Sequence, residues 1–142
     1  MSKKFKLGVI GNPIEHSLSP FIHSRFARQE NINLDYQAYK VNEDGFHSFI
    51  NEFFADSLAK GLNVTLPFKK PAAEIEGTIS DEAKQIDAVN TISQINNKLF
   101  LDSTDGIGFI EIPICNIINE RAHSISRSVL ISSSSTITLL GL

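Results

Sequence analysis

Ser17-Leu18-Ser19-Pro20 sets two hydroxyls at i and i+2 just ahead of a proline suited to the first turn of a helix. Both can donate to an anion, and the unsatisfied N–H groups and dipole of the helix add to the attraction. The plainer reading makes Ser19 the helix N-cap and Ser17 part of the loop. A second group lies in Asn63-Val64-Thr65-Leu66-Pro67-Phe68-Lys69. On a strand, Asn63 and Thr65 share one face, and two polar side chains there can hydrogen-bond several hydroxyls. Lys69 follows that strand and precedes a helix opened by Pro71. A helix start and the adjacent Lys70 both disfavour its charged form, which suits a proton donor or acceptor. Two ordinary surface lysines are the alternative. Asn90 interrupts the apolar run at Ala88-Val89, where an unpaired amide is costly, so it needs a partner from backbone or ligand. Asp105, in Thr104-Asp105-Gly106-Ile107-Gly108-Phe109, reads as a helix N-cap. The two glycines after it are too little for a dinucleotide fingerprint. His16, His23, His47 and His123 show no metal-ligand spacing with Cys115 or acidic residues and read as structural, so no metal site is expected.

The elements that must position these groups alternate. Leu7-Gly8-Val9-Ile10-Gly11 is an apolar run ended by glycine, as in a buried parallel strand. Ser19-Pro20 opens a helix with Ile22 and Phe26 one turn apart, and Leu34 to Val41 reads as a second strand. Asn42-Glu43-Asp44 caps the next helix, whose Phe46, Phe49, Ile50, Phe53 and Phe54 form a core-facing stripe. Leu62 to Leu66 is a third strand stopped by Pro67, followed by a short helix from Pro71 to Ile75 and another capped at Ser80-Asp81-Glu82. Ala88 to Ile95 and Lys98 to Leu101 form two more strands around an Asn96-Asn97 turn. This order predicts an α/β fold, a three-layer sandwich with a mostly parallel sheet.

The chain has 142 residues, 42% hydrophobic and 20% charged, with Lys+Arg 13 against Asp+Glu 16. That composition excludes general disorder. No stretch approaches the roughly 20 apolar residues of a membrane span. A slightly acidic chain without a basic stripe is a poor nucleic-acid binder. The single cysteine, Cys115, forms no internal disulfide, so a cytoplasmic small-molecule protein is expected. After Phe109 the character changes: residues 110–142 hold eight Ile, seven Ser and only four charges.

Taken in order, the pieces resemble the substrate-binding domain of shikimate dehydrogenase: Gly8-Val9-Ile10-Gly11-Asn12-Pro13 into His16-Ser17-Leu18-Ser19-Pro20, then Asn63 to Lys69, then Asp87-Ala88-Val89-Asn90-Thr91, then Thr104 to Phe109. The resemblance covers residues 5 to 109, and Ser103 departs from it, standing where the family usually has Asn. It implies NADP-dependent interconversion of 3-dehydroshikimate and shikimate, in aromatic amino-acid and chorismate biosynthesis. By position, Ser17 and Ser19 would hold the substrate carboxylate, and Asn63, Thr65 and Asn90 the ring hydroxyls. Lys69 and Asp105 would form the acid–base pair at the hydroxyl that becomes a ketone. It also implies a nucleotide-binding Rossmann unit, whose glycine-rich turn is missing: Val129-Leu130-Ile131 is followed by four serines. The expected organisation is therefore a shikimate-binding unit at 1–109 and an aberrant Ile/Ser-rich tail at 110–142, a truncated chain inactive alone. A redox-inactive shikimate-binding module and a remnant without function are the alternatives.

Overall fold

The structure, a computed structural model, describes residues 4–104. Strand β1 (Phe5–Gly11) leads to helix α1 (Ser19–Gln29), and β2 (Leu34–Lys40) leads through a 3-10 turn at Glu43–Gly45 to α2 (Phe46–Ala55). Then come β3 (Ala59–Val64), a 3-10 turn at Pro71–Glu74, β4 (Thr78–Ile79), α3 (Asp81–Ile86), β5 (Thr91–Ile95) and β6 (Lys98–Asp102). The strands form one six-stranded sheet in the order β2-β1-β3-β5-β6-β4. β1 pairs in parallel with β2 and β3, and β4 with β6, whereas β5 is antiparallel to both its neighbours. The sheet is thus mostly parallel, as expected.

The crossover from β1 to β2 runs one way along the sheet and that from β2 to β3 runs back, so crossovers of one hand put α1 and α2 on opposite faces. Side-chain alternation in β1 agrees. Leu7 and Val9 pack with Ile14 and Tyr36 on the α1 side. Ile10 joins Leu62, Val64 and Ile92 in a larger core beneath the buried Phe46, Ile50, Phe53 and Phe54 of α2. The phenylalanine stripe is core, and the three layers are present.

Several boundaries moved. α1 begins at Ser19 after Leu18 as N-cap, and Ser17 Oγ accepts the Ser19 backbone N–H at 3.3 Å. Ser19 is thus the first helical residue, and the Leu18 cap makes no side-chain hydrogen bond. β3 stops at Val64, two residues earlier than expected, and Leu66–Pro67 beyond it is a cis peptide. The expected helix at Pro71 is a single 3-10 turn of four residues. α3 does carry its capping bond, Ala83 N–H to Ser80 Oγ at 3.2 Å. β4, two residues long, had no periodicity to announce it.

Candidate functional site

Strands β1, β2, β3 and β6 all point the same way, and β5 starts where they end. The loops bearing the motifs therefore gather at one end of the sheet, the carboxyl ends of its parallel strands, where open α/β sheets bind ligands. Asn63 pairs with Thr91, and Thr91 with Asp102, so β3, Asn90 and Thr104 come level across three strands.

The loop after β1 is laced to the loop after β3: Asn12 N–H donates to the Leu66 carbonyl at 3.0 Å, and Thr65 N–H to the Ile10 carbonyl at 3.0 Å. Only glycine permits this approach at Gly11, where a Cβ would sit 2.5 Å from Thr65 Cγ2. Glu15 fastens the serine loop outward, taking a hydrogen bond from Lys40 and accepting Ile14 N–H at 2.9 Å. The Lys40 hydrogen bond, followed by those from the backbone, brings its carboxyl down to about 2.

Ser17 accepts a backbone N–H, which leaves its own O–H to donate. Ser19 is committed inward instead, in a hydrogen bond with the Tyr36 hydroxyl. That hydroxyl also donates to Asn63 Oδ1 at 2.8 Å. Burial pushes the Tyr36 hydroxyl far up its titration range, and the bond from Ser19 works against this. Tyr36 is the residue that sequence reading missed. It was visible only as an aromatic in a strand, and nothing local shows that it reaches both Ser19 and Asn63.

Lys69 is half-buried. Phe68, just before it, is fully buried and stacked on Phe46, and the Lys69 carbonyl accepts Val89 N–H at 2.8 Å. Lys70 turns the other way, to Asp87 at 3.2 Å.

Asn90 finds the partners its burial required. Its Oδ1 accepts Thr91 Oγ–H at 2.9 Å and Thr104 N–H at 3.2 Å, and its Nδ2 donates to Thr104 Oγ1 at 2.7 Å. Its backbone spans the sheet end as well, with N–H to Asp102 and carbonyl to Val64 N–H. Asn90 thereby fixes Thr104, the residue before Asp105. Asp105 itself, the glycines after it and the 110–142 tail lie outside the described residues. Ser103 is buried, and its Oγ makes no hydrogen bond among the described residues. Leu18, Phe21 and Leu66, 65%, 66% and 69% exposed, stand on the loops and helix start at this end.

Ser17, Ser19, Asn63, Thr65, Lys69 and Asn90 thus share one end of the sheet. Together they offer hydrogen bonds and one ammonium to a small polar anion. Among the described residues no cluster of His, Cys, Asp or Glu could hold a metal ion, and no helix is long and apolar enough to cross a membrane. A dinucleotide does not fit these residues either. β1 runs into Gly11-Asn12-Pro13, and proline has no N–H to offer a pyrophosphate.

A family model described as the shikimate dehydrogenase substrate binding domain matches residues 9–92. The chain is 43% identical over 109 residues to a shikimate dehydrogenase (NADP(+)) of Laribacter hongkongensis, covering 77% of this chain and 40% of that protein. With the corresponding protein of Hahella chejuensis it shares 41% over 123 residues, 87% of this chain and 44% of the relative. Among solved structures, the shikimate dehydrogenase of Aquifex aeolicus superposes with a TM-score of 0.71 at 37% identity, covering 77% of this chain and 41% of that one. The Thermus thermophilus shikimate 5-dehydrogenase in complex with shikimate superposes at 0.67 with 33% identity, covering 74% and 40%. The chain therefore spans less than half the length of these relatives.

Proposed function

The chain belongs to the family of shikimate dehydrogenase substrate-binding domains, and from that premise we propose that it holds shikimate or 3-dehydroshikimate at the carboxyl end of its sheet. The observation that carries this reading is the convergence of Ser17, Ser19, Asn63, Thr65, Lys69 and Asn90, from three separate chain segments, on that end.

In this reading Ser17 and Ser19 take the carboxylate. Ser17 has its proton to give, and Ser19 joins by turning from Tyr36. Asn63, Thr65 and Asn90 face the ring hydroxyls, and a ligand lacking one would strand a buried polar group. Oxidising a ring alcohol to a ketone removes hydride from carbon and a proton from oxygen. Lys69 and Asp105 are the catalytic residues assigned to that proton. The relatives are named for NADP, which supplies hydride chemistry when bound. The described residues supply only the substrate half. Residues 1–109 are the shikimate-binding unit in this proposal, and 110–142 take no part in it. A cytoplasmic setting belongs to the same reading and rests on the single cysteine.

Titrating shikimate into the labelled 142-residue chain tests the proposal by NMR. Resonances of Ser17, Ser19, Asn63, Thr65 and Asn90 should move together and saturate. A spectrum unchanged at tens of millimolar ligand, about tenfold above a millimolar dissociation constant, would sink it.

A further inference from the structure

Beneath the serines lies a buried polar side chain that the proposed function leaves unused. His23 stands one helical turn after Ser19 on α1, is buried, and its Nε2 makes no hydrogen bond among the described residues. Desolvation lowers its pKa to about 4, so the ring is neutral in ordinary conditions. It lies flat on Tyr36, with ring centroids 4.1 Å apart and planes 4° apart. The Tyr36 hydroxyl reaches Asn63 on β3 at 2.8 Å and Ser19 on α1.

A phenol has one proton and two lone pairs. That proton goes to Asn63 Oδ1, so the hydroxyl sets the orientation of the Asn63 amide, whose NH2 is turned away from Tyr36. A small tilt of the Tyr36 ring would release it. What the His23 ring supplies at Tyr36 is its flat face.

We propose that His23 is a positioning residue whose ring face clamps Tyr36, so that the phenolic hydroxyl holds the Asn63 side-chain amide in orientation at the candidate site. The proposal rests on the shikimate-binding reading only for the identity of the ligand. His23→Leu and His23→Phe both fill the space with apolar volume, and only the second keeps a flat face. In the ligand-free 142-residue chain, His23→Leu should displace the Asn63 side-chain amide resonances, and His23→Phe should leave them near their original positions. Shikimate affinity should fall about 10-fold in His23→Leu and stay within about twofold in His23→Phe, the scale of one net hydrogen bond. Tyr36→Phe should match the first loss, and adding His23→Leu to it should weaken binding no further. Unmoved Asn63 resonances in His23→Leu, equal displacement in His23→Phe, or additive losses in the double variant would overturn the proposal. If His23→Leu does not fold, His23→Met replaces it. If the unsubstituted chain fails to bind shikimate, the ligand reading falls, and the Asn63 resonances still decide the role of His23.

Discussion

Phe68 lies parallel to Phe46, with ring centroids 4.7 Å apart and planes 7° apart. The pair joins the segment carrying Lys69 to the first turn of α2. Both rings are fully buried, so the placement of a half-exposed lysine depends on a core contact made by its neighbour. Stacked pairs of this kind add about 0.5–1.5 kcal/mol beyond the area they bury.

Phe68→Ala should therefore lower stability by about 3–5 kcal/mol through the cavity it leaves. Urea unfolding followed by circular dichroism measures this. A loss below about 1 kcal/mol would mean that the segment collapses freely into the gap and that Phe68 anchors nothing.

Asn90→Leu should be nearly as severe, on the order of 2–4 kcal/mol, because it strands Thr104 N–H and two hydroxyls at a buried sheet end. In equilibrium unfolding, a variant as stable as the original would show that water replaces the amide there at no cost.

Removing the Ser103 hydroxyl should work in the opposite direction. Its Oγ is buried without a partner among the described residues, so Ser103→Ala should raise stability by up to about 1 kcal/mol. A clear fall in thermal midpoint would reveal a hydrogen bond made at that atom.

Acid should weaken the fold through His23. Its pKa is lowered from 6.5 to about 4 by burial, so above pH 6.5 both folded and unfolded forms are neutral and its contribution is complete. Between 6.5 and about 4 the unfolded chain takes up a proton that the folded chain refuses, and stability falls by about 3 kcal/mol over that window. Below about 4 the effect levels off. Unfolding free energies at half-unit steps should show this slope, and His23→Phe should flatten it. An equal slope in both chains would place the titration elsewhere.

Among the described residues, both core clusters fall between Leu7 and Leu101, and a fragment ending at residue 109 is expected to fold alone and bind shikimate weakly. A dissociation constant near millimolar is expected, on the order of −4 kcal/mol, since a screened, open surface weakens each charge contact. Ser17→Ala with Ser19→Ala should abolish the binding. NMR titration decides it, and undiminished affinity in the double variant would remove the serines from the carboxylate site.

Periodicity and local chemistry were enough to read the layers. The spacing from Phe46 to Phe54 could only be a helix face turned to the core, and the apolar run into Gly11 could only be a buried strand end. The order of the motifs marked Ser17, Ser19, Asn63, Thr65, Lys69, Asn90 and Asp105 as one set only through their resemblance to a family, since Ser17, Ser19, Lys69 and Asp105 each also had an ordinary local reading. What the sequence left open was which partners would claim those groups. Tyr36 is 17 residues from Ser19 and 27 from Asn63, and only the parallel pairing of β1 with both β2 and β3 brings the three together. Asn90 and Thr104 meet because β5 and β6 turn back on each other at Asn96-Asn97, both left-handed. Sequence determines what each residue can donate, accept or bury. The register between distant strands decides which of those capacities are used.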